Sequence, residues 1–234
     1  MTMFQRSKLC IDCSECKQKS PLFQLLSGEE SKIVDEERYE VFFKAGENIV
    51  KQGTILTHLT SIVSGFVKIY IEGYSGKNLL LSLAGPHTLI GGPGMFTDNR
   101  NHFTITALED TRVCFINSDN FKRVLALNDE FNRQFLRHVN NKTIEIFQKM
   151  ISLTQKQMHG RMADVLILLS EKVYKSSNFD IPLSRQDLAD MTAMSKDSAI
   201  RVLKEFEKDQ IAKINGRTVQ IFSPDALKEL SEHA

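Results

Sequence analysis

The chain has 234 residues, with 30 Lys and Arg against 29 Asp and Glu, a formal net charge of +1. This length accommodates two ordinary domains, and the near-neutral charge excludes a nonspecific nucleic-acid coat. No apolar run is long enough to cross a bilayer and the N-terminus has no apolar signal core, so we expect a cytoplasmic protein without a membrane partner.

Residues 1–20 form a loop with the spacing C-x-x-C-x-x-C, contributed by Cys10, Cys13 and Cys16. Three thiols in one short polar loop can fold around a single metal centre, and near neighbours are poorly placed to pair in a reducing cytosol. Zinc and an iron–sulfur cluster both need a fourth ligand, and the only other cysteine is Cys114. Three free thiols in a disordered tail are the alternative.

Residues 21–117 begin with one or two short helices and continue, from Val41 to about Ile116, as short β-rich segments separated by glycines. Regular short strands with turn signals between them predict a β-sandwich or a roll closed on itself.

Residues 118–158 form a long helical stretch with two apolar faces. The first alternates steps of four and three, as in a coiled-coil seam: Val139, Thr143, Ile146, Met150 and Leu153. The second consists of Phe131, Phe135, Ile144, Phe147 and Ile151. We expect one face to pack on the chain's own β domain and the seam to join the same helix of a second subunit in a parallel homodimer. The alternative is a helix wrapped by its own chain.

Residues 159–234 contain two short amphipathic helices joined by a tight turn, within SRQDLADMTAMSKDSAIRVLKEF. Each helix has a start signal, Ser184 with Asp187 three residues later and Ser195 before the second helix. The second helix of such a pair enters the DNA major groove with its N-terminal half. The residues on its outward face are Lys196, Asp197, Ser198, Ile200, Arg201 and Lys204.

These side chains have the chemistry of base and phosphate contacts. Arg201 can fork onto a guanine, Asp197 can accept from a cytosine amino group, and lysines can hold phosphates. Two β-rich runs follow, separated by Asn215-Gly216, so we expect a winged helix with Lys213 and Arg217 beside the backbone. Between Ser195 and Arg217 there are six Lys or Arg against four Asp or Glu. A small structural α+β module with a solvated charged face is the alternative.

The order of cysteine loop, β-roll, long helix and winged helix resembles the family of the cyclic AMP receptor protein and the fumarate and nitrate reduction regulator, the CRP/FNR family. The motifs that carry the resemblance are KAGENIVKQGT, IVSGFVKIY, GPHTLIGGPGMF, GRMADVLILL and SRQDLADMTAMSKDSAIRVL. It implies an α+β fold and a dimeric bacterial transcription factor that reads a palindromic site in double-stranded DNA and contacts RNA polymerase. The base-contacting positions of the family correspond to Lys196, Asp197 and Arg201.

The resemblance also bears on the effector. Where cyclic-nucleotide members present a glutamate and an arginine, this chain has Gly92, after Gly91, and His102, with Arg100 as a displaced substitute. Losing a guanidinium clamp on a buried anion removes much of the affinity, so we do not expect cyclic AMP.

The oxygen-sensing FNR branch carries an N-terminal cysteine loop and one distant cysteine, at the position of Cys114. Cys10 and Cys13 match the loop, whereas its third ligand lies near Lys19, further along than Cys16. The resemblance therefore implies a four-iron four-sulfur cluster on Cys10, Cys13, Cys16 and Cys114 that responds to oxygen, nitric oxide or redox state.

Three alternatives remain. The first is cysteine-bound zinc or free thiols, with another small ligand in the β-roll. The second is haem, with an axial ligand among His58, His87, His102, His138 and His159. The third is a thiol oxidoreductase using Cys10 and Cys13, which lacks the βαβ context of that motif, and we do not expect an enzyme.

Overall fold

The computed structural model describes Cys16 and residues 18–233, so Cys10 and Cys13 lie outside the described residues. The chain divides into two compact units. The first contains Met1–Glu72 and Leu81–Lys142, and the second contains Gly73–Leu80 and Thr143–Ala234.

Two four-stranded antiparallel sheets form the β-roll. The first has the order β1 (Tyr39–Phe43), β8 (Thr111–Asn117), β3 (His58–Ser64) and β6 (Leu89–Ile90). The second has the order β2 (Asn48–Val50), β7 (Thr104–Ala107), β4 (Val67–Glu72) and β5 (Asn78–Ala84). This arrangement confirms the β-roll predicted from the glycine-separated segments.

Strand β8 carries buried side chains on both of its faces. Successive side chains of a strand point to opposite sides of the sheet, so these residues belong to two different clusters. Val113 and Phe115 belong to a core cluster that lies on the side of the roll interior. Cys114 and Ile116 belong to a second cluster, shared with residues of the flanking helices. The alternation therefore places the thiol of Cys114 on the helical side of the sheet.

Helices α1 (Gly28–Asp35) and α2 (Ser118–Leu127) pack on this side, together with a 3-10 turn at Pro21–Leu25. Asn117 caps α2 by accepting hydrogen bonds from the amides of Asp119 and Asn120. Four phenylalanines form the centre of the cluster: Phe23, Phe121, Phe131 and Phe135.

The predicted single helix over residues 118–158 is divided in the structure. Helix α2 ends before Asn128, whose side chain accepts from the amide of Phe131 and so starts a new helix, α3 (Asp129–Gln155). A further break precedes α4 (Met158–Ile167).

The second apolar face of the long helix was only partly assigned correctly. Phe131 and Phe135 are buried, as predicted. Ile144, Phe147 and Ile151 are 51%, 58% and 53% exposed, which contradicts packing on the chain's own β domain. The buried residues of α3 are confined to its first turns, so the apolar pattern beyond Phe135 extends past the core of the first unit.

The second unit continues from α4 through a π-helical turn (Leu168–Val173) and β9 (Asn178–Asp180). It then contains α5 (Arg185–Thr192), α6 (Lys196–Lys208), β10 (Ala212–Asn215), β11 (Thr218–Ile221) and α7 (Pro224–His233). The three strands form one sheet in the order β10, β11, β9. Neither β9 nor α7 was predicted from the sequence.

Candidate nucleic-acid interface and cysteine site

Both helices of the predicted helix-turn-helix start where the capping signals indicate. Ser184 and Asp187 form a capping box: the Ser184 hydroxyl accepts from the Asp187 amide at 3.1 Å, and the Asp187 carboxylate accepts from the Ser184 amide at 2.8 Å. Ser195 caps α6 by accepting from the amide of Ser198 at 3.1 Å. Between the helices, Ala193 adopts φ of 50°, a left-handed conformation that ends α5. These contacts confirm the two predicted start positions.

Helix α6 presents opposite faces of opposite character. Ala199, Val202, Leu203 and Phe206 are buried, as their spacing predicts. Lys196, Asp197, Arg201 and Lys204 are exposed, and Ser198 and Ile200 are partly exposed. Ser195 and Ser198 also bond to each other through their hydroxyls at 2.9 Å, so both belong to the helix cap.

The hairpin that follows is the predicted wing. Asn215 pairs with Thr218 across a two-residue turn, in which Gly216 has φ of +58°, the left-handed region that favours glycine. Arg217 is exposed at the tip. The ammonium of Lys213 lies 2.7 Å from the carboxylate of Glu207, so an acidic neighbour partly neutralises this predicted phosphate contact.

Two cations hold the C-terminal end of α5. The ammonium of Lys149 donates to the carbonyl of Met191, and the guanidinium of Arg161 donates to the carbonyl of Thr192, both at 3.1 Å. A positive charge at this end complements the helix dipole and bonds carbonyls that have no partner within the helix. The first helix of the helix-turn-helix is therefore anchored to α3 and α4 within the second unit. Neither contact was predicted from the sequence, because each joins residues far apart in the chain.

Replacing Lys149 with methionine is expected to change how stability depends on pH. Burial lowers the pKa of Lys149 from 10.5 to about 8, against the opposing charge of Asp164. The unfolded chain therefore binds the extra proton between about pH 8 and 10.5, and the stability of the wild type should rise with pH in this window. Across this window the free energy of unfolding of the wild type should rise, relative to that of Lys149→Met, by about 3 kcal/mol or less, because one pKa unit corresponds to about 1.4 kcal/mol.

Urea unfolding followed by circular dichroism at several pH values measures this difference. Lys208→Met is the matched control, since Lys208 is exposed and lies in the same unit. A difference between wild type and Lys149→Met that stays constant from pH 7 to pH 10.5 would contradict the prediction.

The two described cysteines belong to the first unit and are close enough to interact electrostatically. Burial raises the pKa of the Cys114 thiol to about 11, the guanidinium of Arg38 opposes this shift, and Glu40 and Cys16 add to it. Cys114 is 8% exposed, whereas Cys16 is partly exposed. Among the described residues, which exclude Cys10 and Cys13, no group of three metal-ligating side chains occurs.

The residues predicted for an effector pocket are occupied with contacts of their own. Arg100 donates to the carbonyl of Gly53 at 2.9 Å, and a ring nitrogen of His102 lies 3.0 Å from the Asp98 carboxylate. This hydrogen bond lowers the pKa of Asp98, so an anionic carboxylate lies in the loop. A Cβ on Gly92 would lie 3.1 Å from Leu56. The loop therefore lacks a free guanidinium for a cyclic phosphate.

A cavity of about 430 Å³ lies elsewhere in the roll, and none of Gly91, Gly92, Arg100 and His102 lines it. Its walls include the aromatic rings of Tyr39, Phe43 and Phe115. His58, one of the histidines named as a haem alternative, also lines it, and burial lowers the pKa of its imidazole.

Comparison with known proteins follows the same division of the chain. Residues 40–128 match the model of the cyclic nucleotide-binding domain, and residues 160–230 match the model of the Crp-like helix-turn-helix domain. The transcriptional activator protein FnrA of Stutzerimonas stutzeri is 25% identical over 192 residues, 80% of this chain and 78% of that protein. The cAMP-activated global transcriptional regulator CRP of Salmonella typhimurium is 21% identical over 184 residues, 77% of this chain and 88% of that protein. The chain belongs to the CRP/FNR family.

The fold of this CRP/FNR regulator is also that of a solved structure. FixK2 from Bradyrhizobium japonicum superposes with a TM-score of 0.76 at 17% identity, covering 84% of this chain and 98% of that one. This likeness confirms the predicted α+β architecture of β-roll, long helix and C-terminal helix-turn-helix. The relatives compared are transcription regulators, and the chain is a CRP/FNR-family transcription regulator with a DNA-binding helix-turn-helix. Over Cys16 and residues 18–233, no helix is long and apolar enough to cross a membrane.

The predicted dimer seam of this CRP/FNR regulator lies on α3. Val139, Ile146 and Met150 are 41%, 42% and 57% exposed, and Thr143 and Leu153 are partly exposed. Leu136 is 52% exposed on the same helix. An exposed apolar surface of this extent on one helix is typical of an interaction site.

Proposed function

We propose that this regulator binds a palindromic DNA operator as a homodimer and responds to oxygen, nitric oxide or redox state through an iron–sulfur cluster on Cys10, Cys13, Cys16 and Cys114. The observation that carries the proposal is the place of Cys114. Its thiol is buried on the helical side of β8 and within electrostatic range of Cys16, the last cysteine of the N-terminal loop.

The two described cysteines, Cys16 and Cys114, have the side-chain chemistry of ligands for such a group. Thiolates are the ligands of iron–sulfur clusters, and burial with nearby hydrogen-bond donors tunes their potentials. A buried neutral thiol without a cation is a poor ligand, because binding requires its deprotonation. Here the guanidinium of Arg38 donates to the sulfur of Cys114. When bound, a four-iron four-sulfur cluster would supply a redox-active and oxygen-labile link between the N-terminal loop and β8.

The exposed face of α6 supports sequence-specific binding. Lys196, Asp197 and Arg201 lie on its N-terminal half, where a recognition helix meets base edges. Lys204 and Arg217 are exposed cations suited to phosphates, and the apolar seam of α3 supplies the surface for a second copy. A dimer of this kind reads the two half-sites of a palindromic operator and contacts RNA polymerase.

The cluster can regulate DNA binding only if its affinity differs between two arrangements of the dimer. Cluster-bound protein must favour one arrangement of the dimer by a few kcal/mol, since a group bound equally well in both arrangements shifts nothing.

The test is anaerobic purification with a visible spectrum and analysis of iron, sulfide and zinc, repeated after exposure to air. We expect a brown protein with near-equal iron and sulfide that bleaches in air and changes its operator affinity. Cys114→Ala should lose both the cluster and the response, whereas Ile116→Val, a small truncation on the same face of β8, should keep them. A Cys114→Ala variant with an unchanged cluster and unchanged DNA response would overturn the sensor.

A second candidate rests on the aromatic cavity of about 430 Å³ in the roll. In this case a small organic ligand carries the signal, and the cysteines bind zinc or remain free. A colourless protein with zinc or no metal, whose thermal stability rises with an aromatic ligand, would favour this candidate over the cluster. Operator binding is expected in both cases.

A further inference from the structure

Cys114 has a buried cation at its sulfur. The Nη1 atom of Arg38 donates to Sγ of Cys114 at 3.6 Å, and the side chain of Arg38 is only 8% exposed. Sulfur is a weak acceptor, so a guanidinium directed at a neutral thiol gains little in return for its desolvation. The contact gains far more when the sulfur carries negative charge.

Neighbouring carboxylates hold this guanidinium in place. Nε of Arg38 donates to Asp35, and Nη1 lies 3.7 Å from Oε1 of Glu40. The other oxygen of Glu40 accepts from Arg112 at 2.8 Å. Among the described residues, no group forms a hydrogen bond with the buried Oε1 of Glu40, although Arg38 is near. Nη1 therefore donates to the sulfur beside a carboxylate oxygen that has no hydrogen bond within the described part of the chain.

We propose that Arg38 is a positioning residue for the sulfur of Cys114, and that its buried positive charge sets the reduction potential and the lifetime in air of the cluster. The inference rests on the proposed function. It assigns a role to a residue that would not itself bind iron.

The physical effect has a definite direction. A cluster with thiolate ligands becomes more negative on reduction, and a buried cation beside one ligand stabilises the more negative state. Arg38 therefore raises the reduction potential and makes loss of an electron to oxygen harder. Removing the charge lowers the potential and shortens the lifetime of the cluster in air.

The experiment uses the full chain, reconstituted anaerobically with iron and sulfide. For Arg38→Gln we expect a roughly tenfold shift of the one-electron reduction equilibrium toward the oxidised form, about 59 mV. Bleaching of the visible absorbance in air should be faster by a similar factor. The potential comes from spectroelectrochemical titration, and the lifetime comes from absorbance after mixing with aerated buffer.

Arg112→Gln is the matched control, because Arg112 also binds Glu40 but donates to its Oε2. Arg38→Lys keeps the charge and should bleach within about threefold of the wild type. If Arg38→Gln does not fold, the double variant Asp35→Asn/Arg38→Gln replaces it, because it removes the partly buried carboxylate of Asp35 together with its cation.

The outcomes separate the two proposals. A wild type that takes up no iron and sulfide overturns the proposed sensor and this inference together. A brown wild type whose potential and bleaching rate match those of Arg38→Gln, or of the double variant, overturns this inference alone. Equal shifts in Arg38→Gln and Arg112→Gln also overturn it, since they indicate a general effect of charge.

Discussion

Replacing Phe121 with alanine is expected to destabilise the first unit by about 3–5 kcal/mol. Phe121 is fully buried on α2, and its ring lies 5.4 Å from that of Phe131, 5.1 Å from that of Phe135 and 6.3 Å from that of Phe23. The substitution removes one member of three aromatic pairs and leaves a cavity where helices and sheet meet.

Equilibrium unfolding in urea, followed by circular dichroism, measures this loss. The control is Leu127→Ala on the same helix, because Leu127 is 65% exposed and its truncation should change stability by no more than about 0.5 kcal/mol. A loss below 1 kcal/mol for Phe121→Ala would show that the aromatic cluster repacks, and the predicted role of Phe121 would then be wrong.

Replacing Arg201 with alanine is expected to weaken operator binding by about 10- to 100-fold for each half-site, because a forked contact to guanine contributes about 1–3 kcal/mol. Arg201 is exposed on α6. In a homodimer both half-sites lose the contact, so the total loss of operator affinity exceeds the loss for one half-site. The loss should be confined to operators with the contacted base, and binding to unrelated DNA should change little.

Fluorescence anisotropy with an operator selected from random DNA provides the measurement. Lys204→Ala should weaken specific and nonspecific binding alike and reduce the salt dependence, as removal of a phosphate contact does. Lys208→Ala, at the C-terminal end of the same helix, should have little effect. If Arg201→Ala weakened binding equally on all DNA sequences, Arg201 would contact the DNA phosphate backbone rather than a base.

The parts of the fold that could be predicted are those that local chemistry determines. Ser184 and Ser195 mark helix starts because a side-chain oxygen bonds nearby amides whatever the rest of the chain does. Gly216 marks the wing because its turn needs positive φ. Strand β9 was missed because its three residues are held by pairing with β11, a partner distant in the sequence.

The apolar periodicity of α3 correctly predicted a helix, but it did not identify what packs against each apolar face. A repeat of apolar residues indicates that a face is covered but not what covers it. Phe131 and Phe135 meet the chain's own core, whereas Ile144, Phe147 and Ile151 do not.

The sequence predicted which residues form the candidate sites better than it predicted the side chains that hold those sites in place. The outward residues of α6 follow from helical spacing alone. The roles of Arg38, Lys149 and Arg161 depend on contacts across the fold, and no local sequence pattern distinguishes these residues from exposed cations. The sequence placed a possible ligand site at Gly91, Gly92, Arg100 and His102, but the cavity in the roll is lined by other side chains.

The double-sided burial of β8 limits how this strand can change. Cys114 lies in the helical cluster, and its neighbour Phe115 lines the cavity of the roll. Shifting the strand by one position exchanges its two sets of side chains. One inserted or deleted residue upstream within β8 would therefore turn the thiol into the cavity and a phenyl ring toward the helices. The strand can tolerate exchanges of residues far better than a change in its length.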